Sequence, residues 1–254
     1  MEGWSRGAFQ ESRRETEELE NCPRHSLGVL PVRVAVLISG GKDSALALHR
    51  ALEQGHEVVS LVTMVPKRED SWMFHYPNVH LTGLFAEAAG IPLLREETSG
   101  IKEEELADLN RVLETLRIDG VVSGAIASKY QKQRIDKACN ELGLQSITPL
   151  WKENPLILLE ELVDKGFKAI IIGVYAYGFK KDWLGREIDE GAIGDLLTLN
   201  QKHGISVVGE GGEYETLVID APFFTRRIDL VETEKVWENQ GGCLHVKRAR
   251  LVDR

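Results

Sequence analysis

The segment Ser39-Gly40-Gly41-Lys42-Asp43-Ser44 constrains this chain more than any other. It follows an apolar, β-branched run from Val32 to Ile38. Apolar residues at helical spacing come after it, at Ala45, Leu46, Leu48, Ala51 and Leu52. That pattern predicts a buried strand, a tight turn and a helix N-terminus. Two adjacent glycines let backbone amides turn toward a ligand with no Cβ in the way. The new helix adds unpaired N–H groups and the positive end of its dipole. Together they make an anion site suited to phosphate. Lys42 supplies a mobile cation, Ser39 and Ser44 supply hydroxyls, and Asp43 supplies either a helix cap or a ligand for Mg2+.

Two common phosphate loops are excluded. A Walker loop needs Gly where Val36 stands and Ser or Thr where Asp43 stands. A dinucleotide fingerprint needs three spaced glycines, which this segment lacks. The hexapeptide instead resembles the PP-loop of the N-type ATP pyrophosphatases. Those enzymes split ATP between its α and β phosphates and adenylate a substrate. The plain alternative is a strand-to-helix turn capped by Asp43 and Ser44.

From Val32 onward, strand and helix patterns alternate. A second strand is expected over 57–65, then a polar, aromatic loop from Lys67 to Asn78, then a helix over 81–89 stopped by Gly90. A short strand follows at 92–95, an amphipathic helix at 103–116, a strand at 120–126, a helix at 130–142 and a strand at 145–148. This alternation predicts an α/β fold, a parallel sheet flanked by helices on both faces. Ligands in such sheets sit at the carboxyl ends of the strands, where the loops at 39–44, 64–78 and 123–134 can converge.

Pro149-Leu150-Trp151 marks a boundary. Beyond it the pattern gives a helix at 156–165, a strand at 169–174, a helix at 196–203, a glycine-rich turn between two apolar strands at 207–219, and edge strands at 226–232 and 243–252. The expected organisation is a disordered extension over 1–31, an ATP-binding domain over 32–150, and a smaller α+β domain over 151–254. The extension is polar and aperiodic, with no signal-peptide core.

Several side chains are candidates for chemistry. Glu210, Glu213 and Glu215 crowd the glycine-rich turn. Carboxylates at that density repel one another unless a cation or a substrate amine neutralises them, although a solvated hairpin would also hold them. Tyr130 and Arg134 are four apart on one helix face beside Gln131, so Arg134 can meet a phosphate, a carboxylate or a surface partner. Met64 ends the second strand, where an adenine edge can pair with backbone. His75 lies in the aromatic loop, as a packed or a functional histidine, and Gly124 is among the small residues ending the 120–126 strand.

The net charge of -9, from 31 Lys and Arg against 40 Asp and Glu, argues against a general nucleic-acid surface. No apolar run reaches membrane-span length. Cys22, Cys139 and Cys243 are isolated, so neither a metal knuckle nor a disulfide framework is indicated, and a reducing cytoplasm is the default compartment.

Beyond the PP-loop, further blocks share one order and spacing: 71–78 (Ser-Trp-Met-Phe-His-Tyr-Pro-Asn), 124–134 (Gly-Ala-Ile-Ala-Ser-Lys-Tyr-Gln-Lys-Gln-Arg), Pro149-Leu150-Trp151, Trp183-Leu184-Gly185-Arg186, and 209–216 (Gly-Glu-Gly-Gly-Glu-Tyr-Glu-Thr). In these the chain resembles the diphthine–ammonia ligase family over about residues 32–250. The resemblance implies a nucleotide-binding domain of the adenine nucleotide alpha hydrolase-like (HUP, PP-loop) kind, followed by a domain carrying the Glu-rich block. It implies ATP with Mg2+ as nucleotide, and ammonium and elongation factor 2 bearing diphthine as partners. The products are AMP, pyrophosphate and diphthamide, with no nucleic acid or membrane involved. On this reading Ser39, Gly40, Gly41, Lys42, Asp43, Ser44, Met64, His75 and Gly124 bind ATP. Tyr130, Gln131 and Arg134 bind the substrate. Lys42, Asp43, Glu210, Glu213 and Glu215 act in catalysis, the glutamates as candidates to bind or deprotonate ammonium. No cysteine is placed as a glutaminase nucleophile, which points to free ammonium. Two other classes stay open: another N-type pyrophosphatase acting on tRNA by thiolation or lysidine chemistry, and a nucleotide-binding sensor without turnover.

Overall fold

The computed structural model describes residues 31–66, 78–99 and 104–254. The expected extension lies outside the described residues except for Pro31, and so does the aromatic loop with His75, except for Asn78.

The first half is a five-stranded parallel sheet. In chain order it runs β1 (Arg33–Leu37), α1 (Lys42–Glu53), β2 (Glu57–Pro66), α2 (Thr82–Ala89), β3 (Leu93–Thr98), α3 (Glu104–Leu113), β4 (Gly120–Val122), α4 (Lys129–Leu142) and β5 (Gln145–Ile147). The spatial order is β3-β2-β1-β4-β5, with every pairing parallel. Strand order therefore reverses between β1 and β4, the position at which open α/β sheets bind ligands. Along β1, Val34 and Val36 join one core while Ala35 joins the core on the opposite face. Burial on both faces explains why the run is continuously apolar.

The second half is antiparallel. It contains α5 (Pro155–Asp164), β6 (Lys168–Val174), α6 (Glu190–His203), β7 (Tyr214–Asp220), β8 (Arg227–Glu238) and β9 (Gly241–Val252), with sheet order β7-β6-β9-β8. One apolar core joins the two sheets: Leu46 and Leu48 of α1 belong to the same cluster as Leu158 and Leu162 of α5, Ile171 of β6 and Val218 of β7.

Several expected boundaries shift. The strand expected to reach Ile126 ends at Val122, because 123–128 leaves the sheet to cross the start of α1. The helix expected at 196–203 begins six residues earlier. Gly191 and Gly194 weaken its signal, but the Asp189 side chain caps it by accepting from the Ala192 amide at 2.7 Å. Val207 and Val208 form no strand, so the glycine-rich turn has a strand only on its far side, at β7. The C-terminal pair forms one long hairpin in which only β8 is an edge. β9 is interior, paired to β6 through Cys243 and Gly242.

Candidate active site

Gly40 carries φ +86, a left-handed conformation that suits glycine. It turns the chain from β1 into α1. The loop is braced internally: the Gly41 amide donates to Ser39 Oγ at 3.3 Å, the Ser39 amide to Ser44 Oγ at 3.3 Å, and Ser44 Oγ to the Gly41 carbonyl at 3.0 Å. Gly41, which has no side chain, is the N-cap of α1, and Asp43 lies inside the helix. Asp43 therefore does not serve as a cap. Its carboxylate instead accepts from Lys42 Nζ at 2.9 Å to each oxygen.

Gly124 fits against this turn closely enough to leave no room for a side chain. A Cβ there would lie 2.7 Å from the Asp43 carbonyl carbon and 2.7 Å from the Ser44 nitrogen. The 123–128 segment and the first turn of α1 are thereby fixed against each other.

The second sheet closes the other side. The Lys42 amide donates to Thr216 Oγ1 at 3.1 Å, and the Val218 amide donates to the Gly40 carbonyl at 2.9 Å. Lys42 Nζ donates to the Val208 carbonyl at 2.6 Å and lies 5.3 Å from the centre of the Tyr214 ring. Its side chain is only 5% exposed, so the cation expected to be mobile is held. Burial, with Asp43 and Glu213 adding negative charge, pushes the Tyr214 phenol well up. It stays protonated and donates to the Val207 carbonyl at 2.8 Å.

Between these elements lies a cavity of about 190 Å³. Its floor is the phosphate loop, with Ser39, Gly41, Lys42, Asp43 and Ser44. One wall is apolar, from Leu37, Val62, Met64 and Ile135. The opposite wall comes from the Glu-rich turn, with Gly209, Glu210, Gly212, Tyr214, Glu215 and Thr216. The ladder between β1 and β2 ends at Leu37 and Val62, so Met64 continues beyond it at the rim.

The three glutamates differ in placement. Glu210 Oε1 accepts from the Ala127 amide at 2.9 Å and the Ser128 amide at 2.6 Å, clasping the turn to the start of α4. Glu213 accepts from the Ser206 amide at 2.8 Å through one oxygen and from the Gly211 amide at 2.8 Å through the other, holding the turn to itself. Glu215 lines the cavity, while Glu213 does not. After burial, the Glu215 charge is the next largest cause raising the Tyr175 phenol pKa, followed by Cys243, whose Sγ lies 3.1 Å from Tyr175 Oη.

Of the helix residues expected at the substrate, Gln131 lines the cavity; Tyr130 and Arg134 do not. The Arg134 guanidinium is buried 5.4 Å from the Tyr130 ring centre. Cys139 is buried among apolar side chains, and burial pushes its thiol up to about 11, which leaves little thiolate for nucleophilic chemistry. Sequence reasoning passed over Ser123, Tyr214 and Thr216 as individual contributors. Tyr214 and Thr216 lie inside the Glu-rich block, and Ser123 follows a β-branched strand, beside a glycine.

The arrangement suits a nucleoside triphosphate. Glycine-loop amides, a helix N-terminus, Lys42 and two serine hydroxyls lie at the floor of a slot with one apolar wall and one wall from the Glu-rich turn. Among the described residues no group of three His, Cys, Asp or Glu could hold a metal ion. A magnesium ion would therefore be held largely by the phosphates, with Asp43 as the nearby carboxylate.

A family model described as the diphthamide synthase N-terminal domain matches residues 32–146, and one described as the diphthamide synthase C-terminal domain matches 154–252. This chain belongs to the diphthamide synthase family. It is 36% identical over 243 residues to the diphthine–ammonia ligase of Mus musculus, covering 87% of this chain and 91% of the mouse protein. To the protein of that name from Schizosaccharomyces pombe it is 36% identical over 236 residues, covering 85% of this chain and 39% of the yeast one. The Saccharomyces cerevisiae relative, also named diphthine–ammonia ligase, is 30% identical over 258 residues, and this chain spans 37% of its length. This diphthamide synthase family member thus spans nearly the whole mouse relative and about two fifths of each yeast one.

Proposed function

We propose that this chain is a diphthine–ammonia ligase. It consumes ATP and ammonium to amidate diphthine on elongation factor 2, and it releases AMP and pyrophosphate. The observation that carries this reading is the junction at Lys42. There the phosphate loop and the Glu-rich turn share one cavity, through the Val208 carbonyl and Thr216.

A carboxylate resists attack by ammonia because its leaving group would be oxide. A diphthine carboxylate oxygen attacks the α phosphorus of ATP, the bond to the β-phosphate oxygen breaks, and pyrophosphate departs. Ammonia then bonds to the acyl carbon, the carbon–oxygen bond to AMP breaks, and the nitrogen loses a proton. The phosphate loop stabilises charge on the departing pyrophosphate through fixed amides and Lys42. Asp43 would be the carboxylate nearest a magnesium ion on the phosphates, which would supply further charge neutralisation when bound. Glu215, facing the cavity, is placed to attract ammonium and take its proton. Glu210 and Glu213 hold the turn that presents it.

Residues 32–150 form the nucleotide-binding part, and 151–254 form the part acting on the acyl group and ammonia. A cytoplasmic location accords with a translation factor as acceptor. Among the described residues no helix is long and apolar enough to cross a membrane.

The test is incubation with ATP, ammonium and elongation factor 2 carrying diphthine, omitting each in turn. AMP should accumulate in proportion to amide. AMP formed without acceptor, or amide formed without AMP, would contradict the reading.

A further inference from the structure

Ser123 directly follows β4, two residues past the buried Val121, and it lines the cavity with Leu37, Met64 and Ile135. It is 3% exposed, and among the described residues its Oγ has no hydrogen-bond partner. Its amide is engaged by the Ile147 carbonyl at 3.0 Å, so the backbone position is fixed and the hydroxyl alone is left over. A buried hydroxyl without a partner costs free energy, and its presence in a cavity wall calls for a ligand group that completes it.

We propose that Ser123 Oγ hydrogen-bonds a ribose hydroxyl of the bound nucleotide and so selects ribonucleotides over deoxyribonucleotides. The inference rests on ATP binding in this cavity. Three features point to the sugar. The phosphates belong at the phosphate loop and Lys42, while Ser123 lies just past the end of β4. The base faces need the apolar wall, with polar edges reaching the backbone near Met64 on β2. β4 lies two strands from β2, with β1 between them, an offset of about 10 Å across the sheet. A nucleoside laid over the end of β1, base toward β2, brings its sugar toward β4. A serine hydroxyl both donates and accepts, and so matches a sugar hydroxyl.

Binding is measured by calorimetry for ATP, 2′-deoxy-ATP and 3′-deoxy-ATP, on the full chain and on Ser123→Ala, with melting curves confirming that the variant folds. The full chain should bind one deoxynucleotide about 2- to 12-fold more weakly than ATP, the loss expected for one neutral hydrogen bond. Ser123→Ala should weaken ATP by a similar factor and leave that same deoxynucleotide unchanged. Which deoxynucleotide escapes the loss identifies the hydroxyl. An equal loss for all three nucleotides would place the contact elsewhere on the nucleotide and overturn the proposal. Unchanged ATP affinity in Ser123→Ala would overturn it too. A full chain that fails to bind ATP at all would instead remove the ligase reading on which it rests.

Discussion

Lys42 Nζ donates to the carbonyl oxygen of Val208 at 2.6 Å, across 166 positions of sequence. The cation of the phosphate loop is thus tied to the turn that carries the three glutamates, and it is bonded to Asp43 as well. A phosphate entering the cavity would compete for the same ammonium group. Lys42→Ala should therefore lower AMP formation by about 10²–10³-fold, the scale for losing one preorganised donor to a developing charge. Rates are compared at saturating ATP. Turnover within a few-fold of the unaltered chain would remove Lys42 from the phosphate site.

Gly124→Ala tests how tightly the 123–128 segment seats on α1. The added methyl would lie 2.7 Å from backbone atoms of Asp43 and Ser44, which cannot rotate away as a side chain can. Forced displacement should destabilise the fold by about 1–3 kcal/mol and weaken ATP binding with it. Calorimetric affinity and a melting curve are read on the same variant. Unchanged values for both would show that the segment relaxes freely.

Substitutions at two glutamates should separate structure from chemistry. Glu213→Gln keeps one acceptor oxygen but cannot accept from both the Ser206 and Gly211 amides. It should lose about 1–2 kcal/mol of stability, a drop of about 2–8 °C in Tm for a chain of this size. Glu215→Gln should melt like the unaltered chain, bind ATP normally, and lose about 10²–10⁴-fold in amidation. The reverse pattern, with Glu215 needed for stability and Glu213 for amidation, would exchange the two assignments.

Much of this is legible in the sequence alone. Val34, Ala35 and Val36 announce a strand buried on both faces, and Gly40-Gly41 announces the turn, because both signals are local. Tyr130 and Arg134 illustrate what spacing leaves open. It placed them together on one helix face, and Arg134 does lie by the Tyr130 ring, but Gln131 is the residue at the cavity. Helix rotation against the sheet decides this, and it depends on partners far along the chain. The carboxylates show the same limit. Sequence density brought Glu210, Glu213 and Glu215 together as one group. Their amide partners, Ala127 and Ser128 for one and Ser206 and Gly211 for another, separate the clasp residues from Glu215.

His49 gives stability a pH dependence. It packs edge-on to Phe167 at 5.5 Å and stacked with Phe223 at 6.2 Å. Burial lowers its pKa from 6.5, outweighing the opposing pull of Glu53. Because the folded-state value lies below the unfolded one, the unfolded chain binds the proton first. The stabilising contribution is full above 6.5 and is lost as pH falls through the lowered folded value. Tm of His49→Phe should thus fall less steeply than that of the unaltered chain from neutral pH toward about 5. Parallel curves would contradict this source of the dependence.

The central claim is adenylation of the acceptor carboxylate before ammonia attacks. It is tested most directly by following heavy oxygen placed in the diphthine carboxylate. After turnover with ATP and ammonium, mass spectrometry of the nucleotide should find one heavy oxygen in AMP and none in pyrophosphate, because the carboxylate oxygen leaves on the α phosphorus. Heavy oxygen in pyrophosphate or inorganic phosphate, or AMP without label alongside amide, would contradict the account.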